Sequence, residues 1–538
     1  MRSEVFTTSR ILKKKFKVFD DNSCTAGPVV YYENGRKYYD DGESHIKVVG
    51  RTGKGKSQVG SLPFVRNAII AKESFIAVDP KAELYNKTAC YAENTHNLLC
   101  IDFRNLRNSP VCWNPLFIIK ELYNSSNSDE KDIACSMLGE LAEAIQMNDK
   151  DDPFWGSAGA ELFKGIICTL LEIAENDEIN MNSVCRMLET FNERIGASTY
   201  DKKLYAELPE SSIARRHLST FCNSPQDTRN SIYAVCSNSL KPFTESVGLM
   251  NMLSQDSLHI NELDSDEKPL AIYIIIPDEV NTYDALTGLL VSQLTQHFIR
   301  LAQDKYSGKL PNRLNIILEE LGSIAGAIKN LPNLMTASRS RNIRIMLLLQ
   351  NNSQLEDIYG KSNAETINAS VGITVGFSTN DWSTLKEWEE RCGERVIERQ
   401  GMVMKEPLIT AAQLAAMPTC TALVMVDARY KYICHFPFYD QMYDNSDWRA
   451  PTKQRNTNFN NEIKTFNLKE YIHSIENEKR DELFGSHSNP FKQQNSSHSP
   501  SEISDSYTVD ELDLDDMMKK IDERLAELEN EDLEVDED

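Results

Sequence analysis

A doubly wound α/β fold is the architecture this sequence predicts, and three observations predict it. Short apolar runs alternate with helical stretches, most of those runs are apolar throughout, and the first breaks into a loop of glycines and lysines. Uniformly apolar runs suit strands of a parallel sheet, whose two faces are both covered by helices. Alternating strands and helices supply the crossovers that such a sheet needs.

The expected strands are "HIKVVG" (45–50), "SFIAVD" (74–79), "LLCID" (98–102), "LAIYIIIP" (270–277), "LNIILEEL" (314–321), "IRIMLLLQ" (343–350) and "VGITVGFS" (371–378). Between the third and fourth, residues 125–264 read mostly as helix, as in "AGAELFKGIICTLLEIAEN" (158–176), and are expected to form an all-α insertion within one sheet. A long helix is expected over 282–303. Beyond residue 446 the chain turns polar, and "GSHSNPFKQQNSSHSPSEISDS" (485–506) has the composition of a linker. In the last segment Met518, Ile521, Leu525 and Leu528 fall at helical spacing, which predicts a short amphipathic helix flanked by acid.

Composition narrows the class. A chain of 538 residues is too long for one ordinary core, and 41% hydrophobic with 26% charged residues describes a globular protein with polar appendages. No run approaches the ~18–20 apolar residues of a membrane span. The basic stretch "RILKKKFK" (10–17) has no apolar segment after it, so it is not a signal peptide; a solvated leader or a contact for anionic lipid are its two readings. The 12 cysteines contain no C-x-x-C pair, which argues for buried thiols in a reducing cytoplasm against a zinc site or disulfide frame. The net charge of −23 is uneven: residues 501–538 hold 17 Asp and Glu against 3 Lys and Arg. The remainder is close enough to balance for a local basic lining.

The loop "GRTGKGKS" (50–57) fits G-x-x-x-x-G-K-[ST], the Walker A pattern. Gly50, Gly53 and Gly55 let backbone N–H groups turn inward on an anion, with Thr52, Lys54 and Gln58 beside them. Lys56 can reach the β- and γ-phosphates, and the Ser57 hydroxyl can take a place on Mg. The helix starting near Lys56 aims its positive end at the phosphates. Pro63, early in that helix, is expected to kink it. ATP and Mg are therefore the expected cofactors.

A phosphate loop of this kind needs carboxylates from a second strand. "LNIILEEL" ends in Glu319, expected to hold Mg, usually through water, and Glu320, expected to polarise the attacking water. Gln350 lies at the far end of "IRIMLLLQ", where a side chain can report the γ-phosphate to the following loops. Arg339 and Arg341 precede that strand, too far to reach the same nucleotide easily; an arginine there is either a surface residue, the commoner case, or one that reaches a neighbouring subunit's nucleotide.

In these stretches the chain resembles the TraG/TraD-type coupling proteins of conjugation and type IV secretion. The likeness is carried by "ESFIAVDPKAELYNKTA" (73–89), "SPVCWNPL" (109–116), "DPFWGSAGAELFKGII" (152–167), "LNIILEELGSI", "ASRSRNIRIMLLLQNNSQLEDIYG" and "NASVGITVGFSTND", in the family's order over about residues 27–440. The resemblance implies a RecA-like P-loop nucleotide-binding domain interrupted by an all-α domain, assembled as a homo-hexamer at the membrane. It implies an ATPase passing relaxase-bound single-stranded DNA, or protein, to a secretion channel. It also implies phosphate and Mg roles for Lys56 and Ser57, the catalytic carboxylate at Glu320, the finger arginine at Arg339 and the motif glutamine at Gln350. The expected organisation is a leader over 1–44, the nucleotide-binding domain over 45–124 and 265–445, the all-α domain over 125–264, a polar linker over 446–508 and a disordered acidic tail over 509–538.

The chain departs from the family pattern in four places. Lys54 adds a second cation above the phosphates; Glu319 stands where Asp is common; Ala82 replaces a glycine in Asp79-Pro80-Lys81-Ala82-Glu83. The family's N-terminal membrane helices do not precede the sheet, so three expectations stand: a separate membrane protein recruits the chain, its start is lost, or the basic stretch 10–17 touches anionic lipid. Two alternative functions remain open. A nucleotide-binding docking receptor with little turnover is consistent with Lys54 and Glu319, and an FtsK-like double-stranded DNA pump is disfavoured by the long helical insertion.

Overall fold

The computed structural model describes residues 4–145, 153–277, 279, 283–324, 328, 330–399, 402–452 and 462–484. All seven expected strands form, in one nine-stranded sheet among the described residues. In chain order they are β1 His45–Val49, β2 Ser74–Asp79, β3 Asn97–Asp102, β4 Leu270–Ile275, β5 Leu314–Leu318, β6 Ile343–Leu349 and β7 Val371–Gly376, followed by β8 Thr421–Val426 and β9 Tyr430–His435. Their spatial order is β9-β8-β7-β1-β6-β5-β2-β4-β3. The seven expected strands run parallel, whereas β8 pairs antiparallel with β7 and with β9. Every residue of β1, β2, β4, β5 and β6 is buried, which is the physical content of their unbroken apolar pattern. The register aligns Leu314 with Ser74 and Ile343, so the exits of β2, β5 and β6 share one edge.

Between β3 and β4 the chain is mostly helical, including Ser128–Ile145, Pro153–Ile173, Met181–Phe191, Ile213–Cys222 and Gln226–Thr244, with one short pairing of Arg194–Ile195 and Ser198–Thr199. Helix Pro153–Ile173 approaches Ile213–Cys222 closely at Gly165, where an added Cβ would lie 2.6 Å from Leu218 Cδ2. Apolar residues of these helices, such as Leu162, Phe163 and Leu218, belong to the same core as Ile76, Val78 and Ile274 of the sheet.

Two expectations are corrected. Residues 1–44 are more than a leader: helix Ser9–Lys15 precedes a three-stranded antiparallel sheet of Lys17–Phe19, Val29–Glu33 and Arg36–Tyr39. Leu12, Phe16, Val30 and Tyr38 bury into a core shared with β1. Buried Arg344 of β6 ties that sheet down, donating to Ala26 O at 3.0 Å, Gly42 O at 3.0 Å and Asn315 Oδ1 at 2.9 Å, with Glu73 Oε2 at 3.6 Å. Lys13 and Lys17 of the basic stretch pair with Glu33 and Asp41. The expected linker, likewise, holds helix Leu468–Phe484. Phe466, Leu468 and Ile472 are buried, and Phe466 N–H donates to Ser183 Oγ at 3.0 Å. Average polarity hid three apolar residues placed at docking spacing. The acidic segment 509–538 lies outside the described residues.

Among the described residues no helix is long and apolar enough to cross a membrane. The cysteines are free thiols; Cys24 is exposed, Cys135 is half-buried and the others are buried.

Candidate nucleotide site

The phosphate loop leaves the C-terminal end of β1, where ligands of parallel sheets gather. Gly50 N–H donates to Leu349 O at 3.1 Å and Arg51 N–H to Ser378 O at 3.1 Å, so the loop is pinned between the exits of β6 and β7. Thr52 and Gly53 sit exposed at its crest. Gly55 has φ +107, and a Cβ there would meet Cys420 Sγ at 2.8 Å. Glycine is required on both counts. Cys420 N–H also donates to Lys54 O at 3.0 Å, clamping the loop from the start of β8.

The following helix is not regular. Lys56–Ser61 is wound as a π-helix, with Leu62 N–H reaching Ser57 O, and an α-helix runs from Leu62 to Ala71. Pro63 stands in the first turn of the α-helix, so the expected kink is a change of winding. Lacking an N–H, Pro63 cannot extend the wider ladder. Such bulges recur at functional sites.

Lys56 is buried, and its ammonium donates to Gly50 O at 2.5 Å. Burial lowers its pKa, opposed by the nearby Glu320 and Glu319 carboxylates. The lysine and both glutamates therefore converge, although some 260 residues separate them in sequence. Glu319 is buried at the end of β5, and its carboxylate accepts hydrogen bonds from Ser61 Oγ and from Ser57. Burial pushes Glu319 up to about 7, and the neighbouring Asp79 adds to this against the pull of the two serines. Glu320 adopts φ +50, turning the chain sharply out of the strand. Its Oε2 accepts from Gln350 Nε2 at 3.3 Å, so the ends of β5 and β6 meet side chain to side chain.

Three expected site residues are placed differently from the rest. The Lys54 ammonium reaches Met417 O at 3.4 Å, toward the segment before β8 rather than over the loop. Gln58 Nε2 donates to Glu83 Oε1 at 3.0 Å. Arg339 is exposed at the end of helix Leu331–Arg339, before β6, whereas Gln350 follows β6. Seven strand residues span about 20 Å, so Arg339 and Gln350 of one chain lie at opposite edges of the sheet.

Sequence reasoning assigned no role to Ser61 and Asp79. Ser61 lies one turn after Ser57, a spacing that could have signalled it. Asp79 Oδ1 accepts the Glu83 N–H at 2.9 Å and Oδ2 the Tyr85 N–H at 2.8 Å, capping the helix whose Glu83 reaches Gln58. Burial raises Asp79 to about 7 despite these bonds. The hydroxyls and carboxylates of Ser57, Ser61, Glu319 and Asp79 form a cluster of hard oxygen donors, which fits Mg.

Solved structures share this fold. The conjugative coupling protein TrwB in its unbound monoclinic form matches with a TM-score of 0.60 at 19% identity, over 82% of this chain and 95% of that one. TrwB in complex with ADP and Mg matches with a TM-score of 0.59 at 18% identity, over 85% and 97%. TrwB with the non-hydrolysable GTP analogue GDPNP gives 0.58 at 18% identity, over 81% and 95%. No curated protein sequence matches significantly. The profile of the family described as "Type IV secretory system Conjugative DNA transfer" matches residues 1–428. With the RecA-like sheet and phosphate loop in place, and a family match over most of its length, this chain belongs to the type IV secretory system conjugative DNA transfer family.

Proposed function

We propose that this chain is a P-loop ATPase that couples ATP hydrolysis to the recruitment and translocation of relaxase-bound single-stranded DNA, or protein, toward a type IV secretion channel. The observation that carries this reading is the convergence of Lys56 with Glu319 and Glu320. The TrwB complexes with ADP and Mg and with nucleotide analogues support the same ligands here. Lys56 exchanges its Gly50 carbonyl for phosphate oxygens, and the loop N–H groups cradle the rest. Ser57 and Glu319 would hold Mg, which supplies charge neutralisation at the phosphates when bound. Glu320 accepts the proton of the attacking water, and Gln350 carries the state of that carboxylate to the loop after β6. Arg339 serves the nucleotide of the next subunit in a homo-hexameric ring on the cytoplasmic face of the membrane.

ATPase assays with and without single-stranded DNA test this. Wild type is expected to hydrolyse ATP faster with DNA. Lys56→Ala and Glu320→Gln should each lose on the order of a hundredfold or more of the turnover. Nucleotide binding with no turnover under any DNA condition would instead favour a docking receptor.

A further inference from the structure

The groups that meet the phosphates lie on one flank of β1. Lys56 converges with Glu319 and Glu320 at the exit of β5, and Gln350 joins them from the exit of β6. β6 is one neighbour of β1; β7 is the other, with β8 beyond it. Adjacent strands lie about 4.8 Å apart. A triphosphate whose γ end sits over β5 and β6 therefore lays its nucleoside toward the exits of β7 and the start of β8.

Exposed apolar side chains stand at that corner. Trp382, the first residue of helix Trp382–Cys392 after β7, is 55% exposed. On the segment entering β8, Ala416 and Pro418 are exposed as well. The two segments are tied together: Ser378 Oγ donates to Ala415 O at 2.7 Å, and Ala411 N–H donates to Glu389 Oε2 at 2.5 Å. Lys386 Nζ, one turn along the helix from Trp382, lies 5.8 Å from the indole centroid and 2.7 Å from Glu389 Oε1. Through Lys386 and Glu389 the indole is thus on the side of its helix that meets Ala411 and the chain leading into β8. Both segments also hold the phosphate loop. Arg51 Nη1 donates to Asn380 Oδ1 at 3.2 Å, beside the backbone bonds from Arg51 to Ser378 and from Cys420 to Lys54.

We infer that this corner is the base subsite of the nucleotide, where the purine stacks on the Trp382 indole beside Ala416 and Pro418. The inference rests on the reading of the phosphate loop as an ATP site. Stacking on an aromatic face needs no hydrogen bond to the base edge, so a single exposed ring is enough to hold the base. The bond between Arg51 and Asn380 sets the distance between that ring and the phosphates.

Calorimetric titration of the full chain tests the subsite with two probes, each with Mg: a non-hydrolysable ATP analogue, and inorganic tripolyphosphate, which has no base. Wild type is expected to bind the analogue more tightly than tripolyphosphate. Trp382→Ala should weaken the analogue about tenfold and leave tripolyphosphate unchanged, whereas Trp382→Phe keeps an aromatic face and should retain most of the affinity. Undiminished analogue binding by Trp382→Ala overturns the inference. So does an equal loss for both probes, which would mean that the substitution disturbs the phosphate loop. Failure of wild type to bind the analogue would instead remove the ATP reading itself, and the base subsite with it.

Discussion

Ala82 shows what one missing glycine does. It adopts φ +55, a left-handed conformation that costs a non-glycine residue about 1 kcal/mol. Ala82→Gly is therefore expected to change stability by no more than about 1 kcal/mol in the favourable direction, since relief of strain outweighs the added chain entropy; urea denaturation checks it. Glu319 affects stability more strongly. Its pKa in the folded protein, about 7, is raised above the ordinary 4.5, so the folded state binds the extra proton between those values. The stabilising contribution is full below about pH 4.5 and is lost as pH rises through about 7, a change on the order of 3 kcal/mol at most. The melting temperature of Mg- and nucleotide-free protein should fall from pH 6 to pH 8, and Glu319→Gln should flatten that slope. Mg supplies the compensating charge when the site is filled, which is the reason to keep a buried carboxyl there.

At the scale of elements, the docked segment around Phe466 to Ile472 is the clearest case of structure beyond the sequence signal. Ile472 is 1% exposed and belongs to the main core. Ile472→Ala should cost about 2–4 kcal/mol in denaturant unfolding, as for other buried aliphatic truncations; a cost below about 1 kcal/mol would mean that the segment does not dock in solution. The parallel strands were legible because most of them are apolar on both faces. The antiparallel β8 and β9 escaped notice although "TALVMV" is apolar, because nothing in sequence marks an edge hairpin as part of the same sheet. The small N-terminal sheet escaped for a different reason: its tyrosines and charged residues read as polar, and Arg344 supplies its anchor from about 300 residues away.

For the whole molecule, the decisive fact is which edge of the sheet each residue occupies. Lys56, Glu319, Glu320 and Gln350 share the edge where parallel strands end, and Arg339 is at the other. A ring with heterologous contacts can present that opposite edge to a neighbour's nucleotide. Lys56→Ala and Arg339→Ala proteins, each inactive alone, should regain turnover when mixed, with about a quarter of the interfaces complete by random assembly. No recovery from a mixture shown to co-assemble would remove Arg339 from the reaction.

Sequence by itself determined the parallel strands, the phosphate loop and the carboxylates expected to face it, because each depends on local residue type and period. Only the tertiary structure decided that Glu319 shares its carboxylate with Ser57 and Ser61, and that Lys54 leans to Met417. These are matters of who is buried beside whom. Burial sets the charge state of a carboxyl, and no window of sequence contains the neighbours that create it.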